Sequence, residues 1–226
     1  MIKVLALVEG QTEEAFIKQV LLPALPKIDL VPTLIKTRST GAAPKKGGTV
    51  TYHDFKQQLQ LLLGDTSASL VTTMIDFQGL GSDFPGRVNP AGNTPVSKVL
   101  FVEAARRRDL NEARYLPCLA LHEFEALLFA KPESIADVLR KPTPTKILQG
   151  VCGKYPNTPG DINDSPDTSP SARIESACER LCGSSRVFQK RTHGPVIAGR
   201  IGLEKIRAAC PHFNEWVSKL EGLAAA

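Results

Sequence analysis

At 226 residues, 42% of them hydrophobic and 23% charged, the chain can build one large core and has the make-up of an ordinary globular protein. Its net charge of +5 is too modest to argue for a nucleic-acid partner by itself. No run approaches the ~20 apolar residues of a membrane span, the apolar start is too short for a secretory signal, and five cysteines at 118, 152, 178, 182 and 210 lack paired spacing, so the chain reads as a cytoplasmic protein with reduced thiols.

The first element is the continuous apolar run Ile2 to Val8, which predicts a strand buried on both faces. It stops at Glu9-Gly10, and a helix signal follows at once, with Thr12 as a candidate N-cap and Phe16, Ile17, Val20 and Leu21 at helical spacing. Leu30 to Ile35 is a second strand candidate, and Lys36 to Gly48 a basic loop. Tyr52 to Leu63 places Phe55, Leu59, Leu62 and Leu63 on one side of an amphipathic helix. Ala68 to Ile75 is the next buried strand, ended by Asp76 as Glu9 ends the first. Gln78 to Pro95 is a long glycine- and proline-rich loop at the same edge.

A helix over Val96 to Arg108 ends in Arg106-Arg107-Arg108, which suits a helix C-terminus and needs no further role. Tyr115 to Leu121 is a fourth strand, and His122 begins a helix through Phe129. Strands alternating with helices imply a mainly parallel four-stranded sheet flanked by helices, an α/β core over residues 1–130. Past Pro132 the pattern is helical, with pieces at Ser171 to Cys182, Val196 to Ala209 and Phe213 to Leu223, so residues 131–226 read as a helical region packed on that core.

Chemistry concentrates in acidic residues. Glu9, Glu13, Asp76, Glu123 and Glu125 are the candidates, and three of them lie at or just past the carboxyl ends of separate predicted strands, the edge where open α/β sheets bind ligands. Clustered carboxylates repel unless protons or cations neutralise them, and oxygen donors suit Mg²⁺ or Mn²⁺. His122-Glu123-Phe124-Glu125 is no zinc motif, because position 126 is alanine where a zincin carries its second histidine. On a helix Glu123 and Glu125 would diverge, so one of them is expected to point into the site, Glu125 before Glu123. His122 either orients a carboxylate or closes the strand end.

Arg38, Lys45, Lys46, Arg173 and Lys190 are candidates to meet phosphates. With one tryptophan and three tyrosines the chain lacks the aromatic spacing of a base-stacking platform. It has no Walker-type phosphate loop, so any ATPase would be a separate chain. No serine, cysteine or histidine arrangement suggests a covalent nucleophile.

The opening Val8-Glu9-Gly10-Gln11-Thr12-Glu13 resembles the start of a Toprim domain, most closely that of overcoming-lysogenization-defect type nucleases. Thr73 to Gly79, Asp83 to Gly86, His122 to Phe129 and Pro170-Ser171-x-Arg173 follow in the order of an uncharacterised Toprim-like family, similar to Toprim partners of ATPases in anti-phage defence loci. The resemblance implies a metal-dependent nuclease, the effector of a bacterial defence system, working with an ABC- or AAA-type ATPase encoded nearby. It makes Glu9, Asp76 and Glu125 metal ligands, with Glu13, Glu123 and Asp83 as further candidates, and Lys190 the stabiliser of developing charge. The chain departs from the Toprim Asp-x-Asp pattern at Asp76-Phe77-Gln78. That departure suits an alternative, a catalytically weak Toprim-shaped module that docks on and regulates an ATPase.

Overall fold

The computed structural model describes residues 1–36, 50–121, 123–140, 144–162 and 168–224. Strand β1 (Ile2–Val8) lies at the centre of a parallel sheet, paired with β2 (Ile28–Leu34) on one side and β3 (Leu70–Asp76) on the other. Between β1 and β2 the chain runs through α1 (Gln11–Phe16), a π-helical turn (Ile17–Leu21) and α2 (Leu22–Ala24). Helix α3 (Tyr52–Leu63) connects to β3, and α4 (Pro95–Leu110) follows it. Because β1 has neighbours on both edges and helices on both faces, every residue from Val4 to Val8 is buried, which is why its sequence does not alternate. The edge strand β2 carries Pro32, tolerated where no neighbour needs its missing N–H.

One strand was expected over Tyr115 to Leu121. The structure instead has two short pieces, β4 (Tyr115–Leu116) and β5 (Leu119–Ala120), both pairing in parallel with β3. Pro117 has no N–H for the ladder, and pairing with β3 resumes only at Leu119, in the same register as before the break. The Thr73 hydroxyl spans this gap, donating to the Cys118 carbonyl at 2.9 Å and accepting from the Cys118 N–H at 3.0 Å. A side chain thus replaces the backbone pairing that the proline breaks.

The expected helix from His122 to Phe129 is a 3-10 helix over Phe124–Ala130, and His122 itself lies outside the described residues. The rest of the chain is helical: α5 (Glu133–Leu139), α6 (Thr145–Lys154), α7 (Pro170–Cys182), α8 (Lys190–Ile201), α9 (Leu203–Ala209) and α10 (Pro211–Leu223). The single helix expected over Val196 to Ala209 is divided at Gly202, whose φ of 87° lies where only glycine is unstrained.

Alternate residues of β1 feed two apolar clusters. Val4, Ala6 and Val8 meet Phe16, Phe124, Ile197, Phe213, Trp216 and Leu220, so the C-terminal helices share the core of that face. Leu5 and Leu7 meet Phe55 and Leu59 of α3 with Val99 and Val102 of α4. Arg106 does more than suit the helix dipole. It is wholly buried, with its guanidinium 4.6 Å from the Phe55 ring and Nη2 donating to the Tyr115 hydroxyl at 2.6 Å. The helix turns Arg106 inward while its two neighbours stay exposed. Among the described residues, no helix is long and apolar enough to cross a membrane, and the five cysteines are free.

Candidate metal centre

Parallel neighbours end at the same edge, so the carboxyl ends of β1 and β3 bring Glu9 and Asp76 together although they are far apart in sequence. The Asp76 N–H donates to Glu9 Oε2 at 2.9 Å. Gly79, in the turn after β3, sits so close that a Cβ there would lie 3.0 Å from Glu9 Oε1. Helix α1 begins at Gly10 rather than at the expected cap Thr12, which is inside the helix. Glu13 therefore falls in the first turn, buried, with its carboxylate close enough to Gly10 that a Cβ there would stand 3.2 Å from Oε2. Bare glycines face two of the carboxylates.

The turn after β5 supplies the remaining acids. The Phe124 N–H donates to Asp76 Oδ1 at 3.1 Å, fixing the start of the 3-10 helix on the end of β3. Glu123 precedes that helix with extended backbone, so the divergence expected of two positions on one helix does not arise. Both glutamates face Lys190, the first residue of α8, with Nζ at 3.6 Å from Glu123 Oε1 and 3.9 Å from Glu125 Oε2. Glu125 is buried, at 2% exposure. Glu123 Oε2 also accepts from the Ser171 N–H at the start of α7, at 3.0 Å.

These carboxyl groups resist ionisation together. Burial pushes Glu13 up to about 7, with the Glu9 carboxylate adding to it and backbone N–H groups opposing. Burial likewise pushes Glu125 up to about 7 against the pull of Lys190, with Glu123 and Glu13 adding repulsion. Asp76 is held well above the usual range by burial and then by Glu9, Glu13, Glu125 and Glu123. Glu9 keeps solvent access, yet the protein crowding its carboxylate raises it too, against the Asp76 N–H and Lys190. For Lys190, burial favours the neutral amine, but Glu125, Glu123, Asp76 and Glu175 outweigh it and hold the ammonium charged. Of these acids, Glu123 and Glu125 lie within ion-pair distance of the ammonium.

The donor chemistry fits a hard divalent cation, since every group is a carboxyl oxygen and a cation would relieve their mutual repulsion. Among the described residues, no three aspartate, glutamate, histidine or cysteine side chains already close on a common point, so the acids converge on this edge without forming a finished cage.

Other predicted site residues lie elsewhere or are committed. Asp83 Oδ2 accepts from the Tyr52 N–H at 2.6 Å, at the start of α3. Arg173 donates through Nε to the Thr168 carbonyl at 2.7 Å and through Nη2 to the Tyr155 hydroxyl at 3.1 Å. Arg38, Lys45 and Lys46 fall outside the described residues. Sequence reading passed over Ser171, whose backbone N–H holds Glu123, and the two glycines. The Pro170-Ser171-x-Arg173 motif was the available signal, but the contact runs through the main chain of Ser171 rather than the arginine.

A sequence profile of the family described as Domain of unknown function (DUF4276) matches residues 8–221. A comparison with curated proteins finds no match. Among solved structures, the chain is similar to the C-terminal region of the Burkholderia pseudomallei OLD protein, with a TM-score of 0.39 and 15% identity, over 98% of this chain and 99% of that one.

Proposed function

This chain belongs to the DUF4276 family, and from the acidic edge it carries we propose that it is a metal-dependent phosphodiesterase of Toprim type that cleaves nucleic acid. By the resemblance of its motifs it is the effector of a bacterial defence system whose ATPase is a separate chain. The observation that carries the reading is the gathering of Glu9, Glu13, Asp76 and Glu125 from three separate stretches of chain at one sheet edge, with their carboxyl groups raised by burial and repulsion. A structural role alone leaves that concentration of unfavourable charge unexplained.

Glu9, Asp76 and Glu125 would hold Mg²⁺ or Mn²⁺, with Glu13 beside them. Such an ion supplies Lewis acidity toward a phosphate oxygen and lowers the pKa of a bound water. Glu13 and Glu125, pushed up to about 7 by burial, would have to give up their protons to hold a cation. Lys190 keeps a positive charge beside Glu125, placed to meet the negative charge that builds on a phosphate during transfer.

Mn²⁺ titration by calorimetry on wild type and on Glu9→Ala/Asp76→Ala tests the reading. Saturable binding by wild type that is lost in the double variant, with both chains folded by circular dichroism, is the expected outcome. A folded wild type that binds no Mn²⁺ would replace it with the silent docking module.

A further inference from the structure

Glu123 differs from the other acids of the edge in what its two oxygens do. Oε2 accepts from the Ser171 N–H at 3.0 Å, in the first turn of α7. Oε1 faces Lys190 Nζ at 3.6 Å, on the first residue of α8. Ser169 caps the next amide of α7, its hydroxyl accepting from the Ala172 N–H at 3.3 Å. The first turn of α7 is therefore satisfied by two side-chain acceptors, one from its own cap and one from the sheet edge 48 residues away. A carboxylate on a helix N-terminus also meets the positive end of the helix dipole.

We propose that Glu123 is a positioning residue for Lys190 and not a metal ligand. The assignment rests on the metal-centre reading above and deepens it. Oε2 is committed to the Ser171 amide, so a cation could take only Oε1 and would have to compete there with the Lys190 ammonium. Kept in place, it ties the starts of α7 and α8 to the end of the sheet. It holds the ammonium between itself and Glu125, so that Lys190 is not drawn wholly onto Glu125, one of the acids that would hold the cation. Gly194, one turn further along α8, supports the same placement: a Cβ there would stand 3.1 Å from the Phe124 ring, so α8 lies directly against the segment that carries both glutamates.

A double-mutant cycle separates the two roles. Mn²⁺ affinity is measured by calorimetry for wild type, Glu123→Gln, Lys190→Met and the double variant, and turnover with bis(4-nitrophenyl) phosphate and Mn²⁺ is measured on the same four. A residue acting through Lys190 has no effect once Lys190 is gone, so the double variant should bind Mn²⁺ within about threefold of Lys190→Met. In the wild-type background Glu123→Gln should lower kcat by about tenfold or more with little change in KM, and in the Lys190→Met background by nothing further. Mn²⁺ binding about tenfold weaker in the double variant than in Lys190→Met would make Glu123 a ligand and overturn the proposal while the metal centre stands. Failure of wild type itself to bind Mn²⁺ would instead overturn the metal centre.

Discussion

Glu13 and Glu125 give the acidic edge a measurable sign. Both carboxyl groups sit at about 7 in the folded chain against an ordinary value of 4.5. Between those values the folded protein binds more protons than the unfolded one, so its stability falls as pH rises through that window. Each group contributes a loss of at most about 3 kcal/mol at neutral pH. The unfolding midpoint of the metal-free protein should therefore drop between about pH 5 and about pH 8. Saturating Mn²⁺ should restore it at the alkaline end, and Glu13→Gln should flatten the slope. Thermal melts followed by circular dichroism read all three. A level or rising midpoint in wild type, paralleled by Glu13→Gln, would mean that the edge carries no such protons.

Helix α8 shows how an element delivers a residue to the site. Its first residue is Lys190, and two glycines further along meet different surroundings. A Cβ at Gly194 would press on the Phe124 ring at 3.1 Å and on Thr12 at 3.3 Å. At Gly199 it would meet Val20 at an ordinary 3.8 Å. Alanine should therefore act with opposite signs in one helix. Gly199→Ala should raise stability by about 0.5–1 kcal/mol through helix propensity. Gly194→Ala should lower it by about 1–2 kcal/mol, because Phe124 is fixed in the core and cannot give way. Urea unfolding of the two variants checks the pair, and equal effects would mean that α8 is not wedged against the 3-10 helix. Arg106 makes a different point about α4. Its buried guanidinium joins α4 to α3 and to the end of β4 through the Phe55 ring and the Tyr115 hydroxyl, so the apolar stripe of that helix contains a cation.

At the scale of the molecule, the face of the sheet under α1 is covered by the C-terminal helices. Trp216 of α10 donates its indole N–H to the Thr72 hydroxyl of β3 at 2.8 Å, and Phe213, Val217 and Leu220 are buried beside it. The His212 ring lies 3.2 Å from the Glu103 carboxylate of α4, tying α10 to a second element of the core. A fragment of residues 1–130 loses this covering and exposes Val4, Ala6, Val8 and Phe16. It is expected to show no cooperative thermal transition, whereas in the full chain Trp216 fluorescence and far-ultraviolet circular dichroism should melt together. A fragment that melts cooperatively by itself would make the C-terminal helices an appendage to a self-sufficient sheet.

Local pattern carried the sequence reading a long way. A largely apolar, non-alternating run ending in a carboxylate marked both β1 with Glu9 and β3 with Asp76, because burial on two faces removes alternation and a strand end frees the next side chain. Helix spacing placed α3, α4, α7 and α10 close to their observed spans. Other features were illegible for one reason: they depend on which segments meet, and residue period does not encode that. Thr73 bridges a gap made 44 residues later by Pro117, Arg106 is buried because α3 and β4 close over it, and Glu123 finds Ser171 and Lys190 on helices that the chain reaches only after α5 and α6. The sequence by itself determined the three long strands, most of the helices and the acids at the ends of β1 and β3. Only the tertiary structure decided which acids share one ammonium, since that is set by packing between distant segments.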